Sequence, residues 1–432
     1  MRFVIGGKLG MSAIEGRKID SNLSIYLDLL RLGAAVVVFL SHAHVFLLPS
    51  IKIGPLGWGR EAVAVFFVLS GFVISYVGQV SEKEWRVYLV ARLARIMPVA
   101  LLAIAVIFVA DSIGMHANAF YYDFINTGFF TPVSVEAALA YVTFTNQLWF
   151  AHAVFGSGEP YWSLGFEVQY YLFFGLFAFS PRRAKIPLLC LWAAVAGPKI
   201  LMYMPLWLMG WLTMKCVIER PPFRRPISIA MIVASLLLFF SLKFFADRAA
   251  TNMYETWSLS QEAINFVYFN LIGIAVVLHL IGAASLLYPA PVLFKKTGPA
   301  IKWLAGGSFT LYLVHQPLIL MFASFLHPVE EQVPMAATLL VACFILCFLL
   351  AEVAERRKKF FASLIVSLLP VLSRTGQKTP ADIASDIVSS DGKMPATSPL
   401  IRVLEEMQNA LDEEEKAGDS HGAPSRDRVS RA

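Results

Sequence analysis

Residues 27–48, LDLLRLGAAVVVFLSHAHVFLL, form an apolar run long enough to cross a lipid bilayer as one helix. The run carries Asp28, Arg31, His42 and His44 in otherwise hydrophobic sequence. Further apolar runs lie near residues 61–77, 96–110, 161–179, 186–196, 200–217, 226–245, 263–288, 301–326 and 335–353. A span needs about 20 residues, so some of these runs are short. The composition agrees with them: 57% of the chain is hydrophobic and 15% is charged. Soluble domains run at about 45–50% apolar and about 25% charged. An ordinary soluble enzyme, a disordered protein and a fibrous repeat are thereby excluded. Transmembrane barrels alternate over short segments, and these runs do not. The expected fold class is all-α: a polytopic membrane protein with about ten transmembrane helices. The four cysteines lie in or at the ends of apolar runs, which suggests no disulfide framework.

The charges predict the topology. Residues 1–21 hold no long apolar core and are not a cleavable signal peptide. If Arg2, Lys8, Arg17 and Lys18 are cytoplasmic, so are Lys83, Arg86, Arg92 and Arg95. The connection from Asp111 to Pro160 has no Lys or Arg and falls outside. The segment 135–154 decides the remainder. If it spans, Arg182, Arg183 and Lys185 are stranded outside. If it does not, the clusters at 182–185, 215–225, 295–296 and 356–359 all fall inside. The second arrangement is the consistent one. It gives ten spans, both termini inside, and a surface-lying or re-entrant segment at 135–154. Three parts follow: a cytoplasmic N-terminal segment (1–21), a transmembrane domain (22–358), and a polar, mostly disordered cytoplasmic tail (359–432). Residues 360–372 suit the membrane surface.

Ionisable residues within spans are costly and mark function by default. With the first span entering at Asp28, His42 lies roughly 21 Å along it at 1.5 Å per residue. Glu167 lies roughly 9 Å below the outer boundary on the fourth span. His315 lies roughly 21 Å up a ninth span entering at Ile301. Three such groups at one depth predict a shared polar cavity, while Arg31, Arg92 and Arg95 form a basic inner mouth. For His279 a hydrogen-bonding strut between helices is the preferred reading.

Five blocks carry a resemblance. They are LDLLRLGAAVVVFLSHA (27–43), AVAVFFVLSGFVIS (62–75), YLVARLARIMP (88–98), YWSLGFEVQYYL (161–172) and SFTLYLVHQPL (308–318). In this order and at these separations they resemble the acyltransferase-3 family of bacterial integral-membrane O-acyltransferases. Arg31 and His42 match its Arg-ten-His spacing. Arg92 and Arg95 match an R-x-x-R, and Trp162, Ser163, Leu164 and Glu167 match W-S-L-x-x-E. The chain departs at Leu29-Leu30, where the family often has Gly-Leu, and at His44, a second histidine two positions after the expected one.

The resemblance implies transfer of an acyl group, often acetyl, from acyl-coenzyme A to a hydroxyl, commonly of a sugar in a cell-surface or secreted glycan. It places the protein in the bacterial inner membrane as a multi-pass protein. His42 is the expected general base, because an imidazole titrates near working pH. Glu167 either orients an imidazole or holds a sugar hydroxyl. Arg31, Arg92 and Arg95 are expected to bind the donor phosphates. Trp162, Ser163, Asn146 and Trp149 are candidate acceptor contacts, with Trp149 equally suited to anchoring at the interface. Tyr312 and His315 either donate to an oxyanion or bond helix to helix. No metal-ligand spacing, nucleophile elbow or nucleic-acid signature appears. The competing readings are a transporter or flippase with a His/Glu proton relay, and a sensor whose output is the tail.

Overall fold

The structure is a computed structural model, and it describes residues 19–49, 57–125, 130–257, 261–288, 294–326 and 333–368. The expectations for residues 1–18 and 369–432 lie outside the described residues. Among the described residues the chain is helical without strands, and a lone bridge joins Thr131 to Gly156. Eight helices are long and apolar enough to cross a membrane. They are α1 (Ser21–Phe46), α2 (Gly59–Val80), α3 (Trp85–Ala117), α8 (Pro198–Glu219), α9 (Arg225–Trp257), α10 (Gln261–Leu287), α12 (Ser308–Leu326) and α13 (Val333–Val353). The short elements are α4 (Ala119–Ile125), α5 (Val135–Val142), α6 (Trp162–Phe179), α7 (Arg182–Ala196), α11 (Gly298–Ala305) and α14 (Lys358–Leu368).

The segment 135–154 does not span. Its only helix, α5, has 8 residues, about 12 Å at the helical rise. Phe144 and Trp149 then take positive φ (56° and 54°), which ends any regular run. The pair α6 and α7 forms a hairpin that starts and ends at this loop. α6 leaves this loop, and α7 returns to it, where Trp149 Nε1 donates to Ala194 O at 3.0 Å. Lys199, at the start of α8, donates to Gln147 Oε1 at 2.5 Å and Ala151 O at 2.8 Å. Neither α6 nor α7 is among the eight helices long and apolar enough to span, against the ten expected from the charges.

α12 is the buried centre, with 78% of its apolar window enclosed against at most 56% for the others. It packs on α1, α3 and α13. The α1–α2–α8–α10–α9 series forms the other side. Elsewhere, polar residues act as struts. His279 joins Tyr26 on α1 at 2.5 Å and Ser235 on α9 at 3.2 Å, and Glu61 on α2 pairs with Lys243 on α9 at 3.0 Å.

The ninth span differs from expectation. It does not run unbroken from Ile301: Gly306 and Gly307 separate α11 from α12. The new N-terminus at Ser308 needs a cap inside the protein. Glu355 supplies it, accepting from Thr310 N at 2.8 Å and Thr310 Oγ1 at 2.9 Å. A carboxylate at a helix N-terminus satisfies donors left over by helix geometry and suits the helix dipole. His315 therefore lies roughly 10 Å from the start of its helix instead of 21 Å. α1 also begins a turn or more earlier than expected, at Ser21, where the Asp20 carboxylate accepts from Leu23 N.

Candidate active site

α1 and α12 run side by side from the same end. Arg31 Nη2 donates to Ala305 O at 3.1 Å at that end. Three turns further on, Nδ1 of His42 and Nε2 of His315 lie 3.0 Å apart. Both Nδ1 atoms also face backbone carbonyls: His42 toward Val38 O at 3.1 Å, His315 toward Leu311 O at 3.0 Å. A carbonyl oxygen only accepts, so each Nδ1 carries a proton and each neutral ring has a bare Nε2. His315 uses its bare nitrogen to accept from His42. His42 Nε2 has no hydrogen-bond partner among the described residues, which leaves it able to accept a proton. His44 turns away, with Nδ1 3.2 Å from Leu48 O. Two residues are about 200° apart on a helix, so the pair cannot share a face.

A cavity runs from Ser163 and Tyr312 to the Arg31 end, and neither His42 nor His315 is in its lining. Arg31, Arg95, Ser70, Ser163, Glu167 and Tyr312 are among its polar lining. Ser163, Glu167 and Tyr171 follow at four-residue spacing, so α6 presents them as one stripe. Glu167 does not touch the histidines. It accepts from Ser70 Oγ at 3.2 Å and from the Tyr171 hydroxyl. The part of imidazole orienter, one of two expected for Glu167, is taken by His315. Tyr312 and Ser163 share a 2.8 Å hydroxyl–hydroxyl bond. The Tyr312 and His315 rings are 6.3 Å apart, so Tyr312 stands between the cavity and the histidine pair. His315 Nε2 points at His42 and so is not aimed as an oxyanion donor.

The basic mouth divides. Arg31 pairs with Asp28 at 2.9 Å and lines the cavity, as does Arg95. Arg92 is committed elsewhere. It forms a buried ion pair with Glu82, and its guanidinium lies over the rings of Tyr88 and Tyr171 at 5.5 and 5.6 Å. The structure therefore does not bring Arg92 to the cavity. It connects Arg92 to Glu167 through Tyr171.

Of the candidate acceptor contacts, Ser163 alone lines the cavity. Trp162 packs edge-on against Phe67 and Phe166 in the wall. Asn146 is fully buried against Gly165, on the opposite face of α6 from Ser163. Trp149 clamps the outer loop to α7. The same loop holds Ser157, whose N and Oγ donate to Asp111 at 2.8 and 2.6 Å. Burial and the nearby Lys199 cation hold the His152 imidazole below its usual range. Residues that the motifs did not single out complete the site: Glu82, Tyr171, Ser70 and the Val38 carbonyl. Val38, Ser70 and Tyr171 stand inside the quoted blocks without being their marked residues, and Glu82 lies outside them.

The family model described as an acyltransferase domain, for acyltransferase-3, matches residues 24–352. The chain belongs to the acyltransferase-3 family. The matched residues run from the start of α1 to the end of α13 and take in the histidine pair, Arg31, Arg95 and Glu167. The protein is a membrane acyltransferase of many spans. No curated protein and no solved structure gave a match.

Proposed function

We propose that this acyltransferase moves an acyl group, acetyl first among candidates, from acyl-coenzyme A to a hydroxyl of a sugar in a cell-surface or secreted glycan. The protein would do so in the bacterial inner membrane, with Arg31 and Arg95 on the cytoplasmic side. The observation that carries the reading is the bare Nε2 of His42, held by His315 next to Tyr312, which lines a cavity shared with Arg31 and Arg95.

Donor phosphates suit the Arg31 and Arg95 guanidiniums, which offer several N–H groups in a fixed plane. The slender pantetheine arm would lie along the cavity with the thioester near Tyr312. The acceptor hydroxyl gives its proton to His42 Nε2 as its oxygen attacks the thioester carbonyl. Protonated His42 keeps its Nδ1–H bonds to Val38 O and His315 Nε2, which stabilise the new charge. The C–S bond then breaks, and the leaving thiolate takes the proton back from His42. The ester and free coenzyme A are the products, and the proton balance closes without a metal or an acyl-enzyme. Glu167 is left for the second part expected of it, holding a hydroxyl in the cavity. A transporter reading leaves the Arg31–Arg95 end without a purpose.

The test uses cells lacking the gene, complemented with wild type or with His42→Ala. Base-labile O-acyl groups on surface and secreted glycans are read by mass spectrometry. Acyl mass that returns with wild type alone supports the reading and names donor and acceptor together. Equal glycans in the deleted and wild-type cells would contradict it.

A further inference from the structure

A second cleft lies in the segment between α3 and α6, at the end of α3 away from the arginines. Ser157 ties that segment to Asp111, which is roughly 24 Å along α3 from Arg95. The cleft has a volume of about 530 Å³, within the range of about 300–1,000 Å³ usual for ligand sites. Thr131, Ser134, Glu136, Thr143, Thr145 and His152 are its polar lining, set among alanines, and none of them lines the first cavity. Backbone bonds from Thr131 N to Gly156 O at 3.0 Å and from Ala153 N to Asn146 O at 3.1 Å fix the chain around it. The part of each polar group follows from its bonds. Lys199, a donor only, gives a hydrogen to Gln147 Oε1 at 2.5 Å. The other end of this buried amide therefore faces His152, with Nε2 donating to Nδ1 at 3.4 Å. Burial and the Lys199 cation favour the neutral ring, so its proton sits on Nε2, which has no partner among the described residues. Thr143 Oγ1 spends its hydrogen on Leu139 O at 2.7 Å, so Thr145 donates in the 2.9 Å Thr143–Thr145 bond. Thr145 Oγ1 is left to accept. Ser134 Oγ accepts from Ala137 N at 3.1 Å and keeps its own hydrogen to donate.

We propose that this cleft binds a neutral sugar residue of a glycan chain, at a site separate from the acyl-transfer cavity. It rests on the acyl-transfer reading for the glycan being the acceptor. The cleft offers His152 Nε2 and Ser134 Oγ as donors, with Thr145 Oγ1 and the Glu136 carboxylate as acceptors. A sugar hydroxyl both donates and accepts, so neighbouring hydroxyls on one ring suit such a mixture. The alanines leave room for the ring and give its C–H faces an apolar surface. A phosphate or an anionic lipid headgroup calls for guanidinium or ammonium partners, and none of the described lining residues is Lys or Arg. An acidic sugar would meet the like charge of Glu136. The buried Gln147 thus has a purpose beyond packing, since it fixes which ring nitrogen of His152 carries the proton.

The experiment uses the full chain in lipid nanodiscs with four probes: maltotriose, mannotriose, galactotriose and trigalacturonate. Binding is read by saturation-transfer NMR. Wild type should bind at least one neutral trisaccharide, and trigalacturonate at least ~5-fold more weakly. His152→Ala and Thr145→Val each remove one exposed hydrogen-bonding group. Each should weaken the neutral sugar by ~5-fold, as the loss of one hydrogen bond does. His152→Asn, which keeps an N–H donor, should recover part of that loss, which a misfolded loop would not do. The proposal is overturned if no neutral trisaccharide binds, if trigalacturonate binds equally well, or if both substitutions leave binding unchanged. Sugar binding that depends on His152, together with equal glycans in the deleted and wild-type cells, would keep the cleft as a sugar site and contradict the acyl-transfer reading instead. Acyl mass that returns with wild type, without such binding, would overturn the cleft alone.

Discussion

An imidazole accepts a proton only through a bare nitrogen, and the carbonyls of Val38 and Leu311 decide which nitrogen that is in each ring. The same geometry separates residues that share a motif. Arg92 and Arg95 are three apart on α3, but Arg92 balances the buried Glu82 while Arg95 faces the cavity. Removing one partner of a buried pair leaves the other charge uncompensated, at a cost of about 3–5 kcal/mol. Arg92→Ala should therefore lower the thermal midpoint sharply and leave the donor KM of the surviving enzyme near normal. Arg95→Ala should do the reverse, and comparing unfolding with donor KM in the two variants checks it. Glu159 gives a pH signature. Its carboxyl is raised to about 6 from 4.5 by burial, so it is more easily protonated in the folded chain. The stability linked to protonation is present below about pH 4.5 and is lost as pH rises through about 6. Burial holds the Tyr141 phenol above its usual range, so it stays neutral in this window. The thermal midpoint of Glu159→Gln should exceed that of wild type by more at pH 7.5 than at pH 4.5. His42, Ser163 and Arg95 were legible because motif spacing and helical period agree on them. Glu82 was not, and neither was the meeting of Tyr171 with Arg92, because sequence distance says nothing of which side chains meet across helices.

Helix pairs in membranes approach closely where residues are small. Gly71 on α2 and Gly210 on α8 do this reciprocally. A Cβ at Gly71 would lie 1.9 Å from Trp207 O, and one at Gly210 would lie 2.0 Å from Val68 O. Neither backbone can yield as a side-chain tip would. Gly71→Ala and Gly210→Ala should each push the helices apart and lower the thermal midpoint. Gly33→Ala, whose Cβ meets nothing within 4 Å, should leave it unchanged or raise it slightly. Differential scanning fluorimetry of the three variants separates contact from helix propensity. The break at Gly306-Gly307 was not legible in the sequence, because apolar sequence continues on both sides of it. What makes the break tenable is Glu355, a residue about 45 positions away, capping the new helix.

At the scale of the whole molecule, charge distribution carried more than hydrophobicity did. Hydropathy alone offered residues 135–154 as a span. The absence of Lys and Arg between Asp111 and Pro160 argued against it, and the eight-residue α5 agrees. The loop is instead tied to neighbouring helix ends by Asp111, Trp149 and Lys199. The described chain ends with α14, whose Ala362 and Val366 pack on Val87, Val90, Ala91 and Ala94 of α3. That contact lies near Arg92 and Arg95 in sequence, so α14 belongs to the functional unit. Truncation after residue 368 should keep acyl transfer within ~2-fold of wild type, whereas truncation before residue 358 should reduce expression and activity together. Retained transfer in the longer truncate would also remove the sensor reading, in which the tail is the output.

In this mechanism His42 Nε2 takes the acceptor proton. The most direct test is single-turnover transfer from labelled acetyl-coenzyme A by the purified chain in nanodiscs, for wild type, His42→Ala, His44→Ala and His315→Ala. The account predicts a rate loss of about 10²–10⁴-fold for His42→Ala with donor affinity unchanged. It predicts a smaller loss for His315→Ala and a rate near wild type for His44→Ala. A His42→Ala enzyme that turns over at the wild-type rate would contradict it.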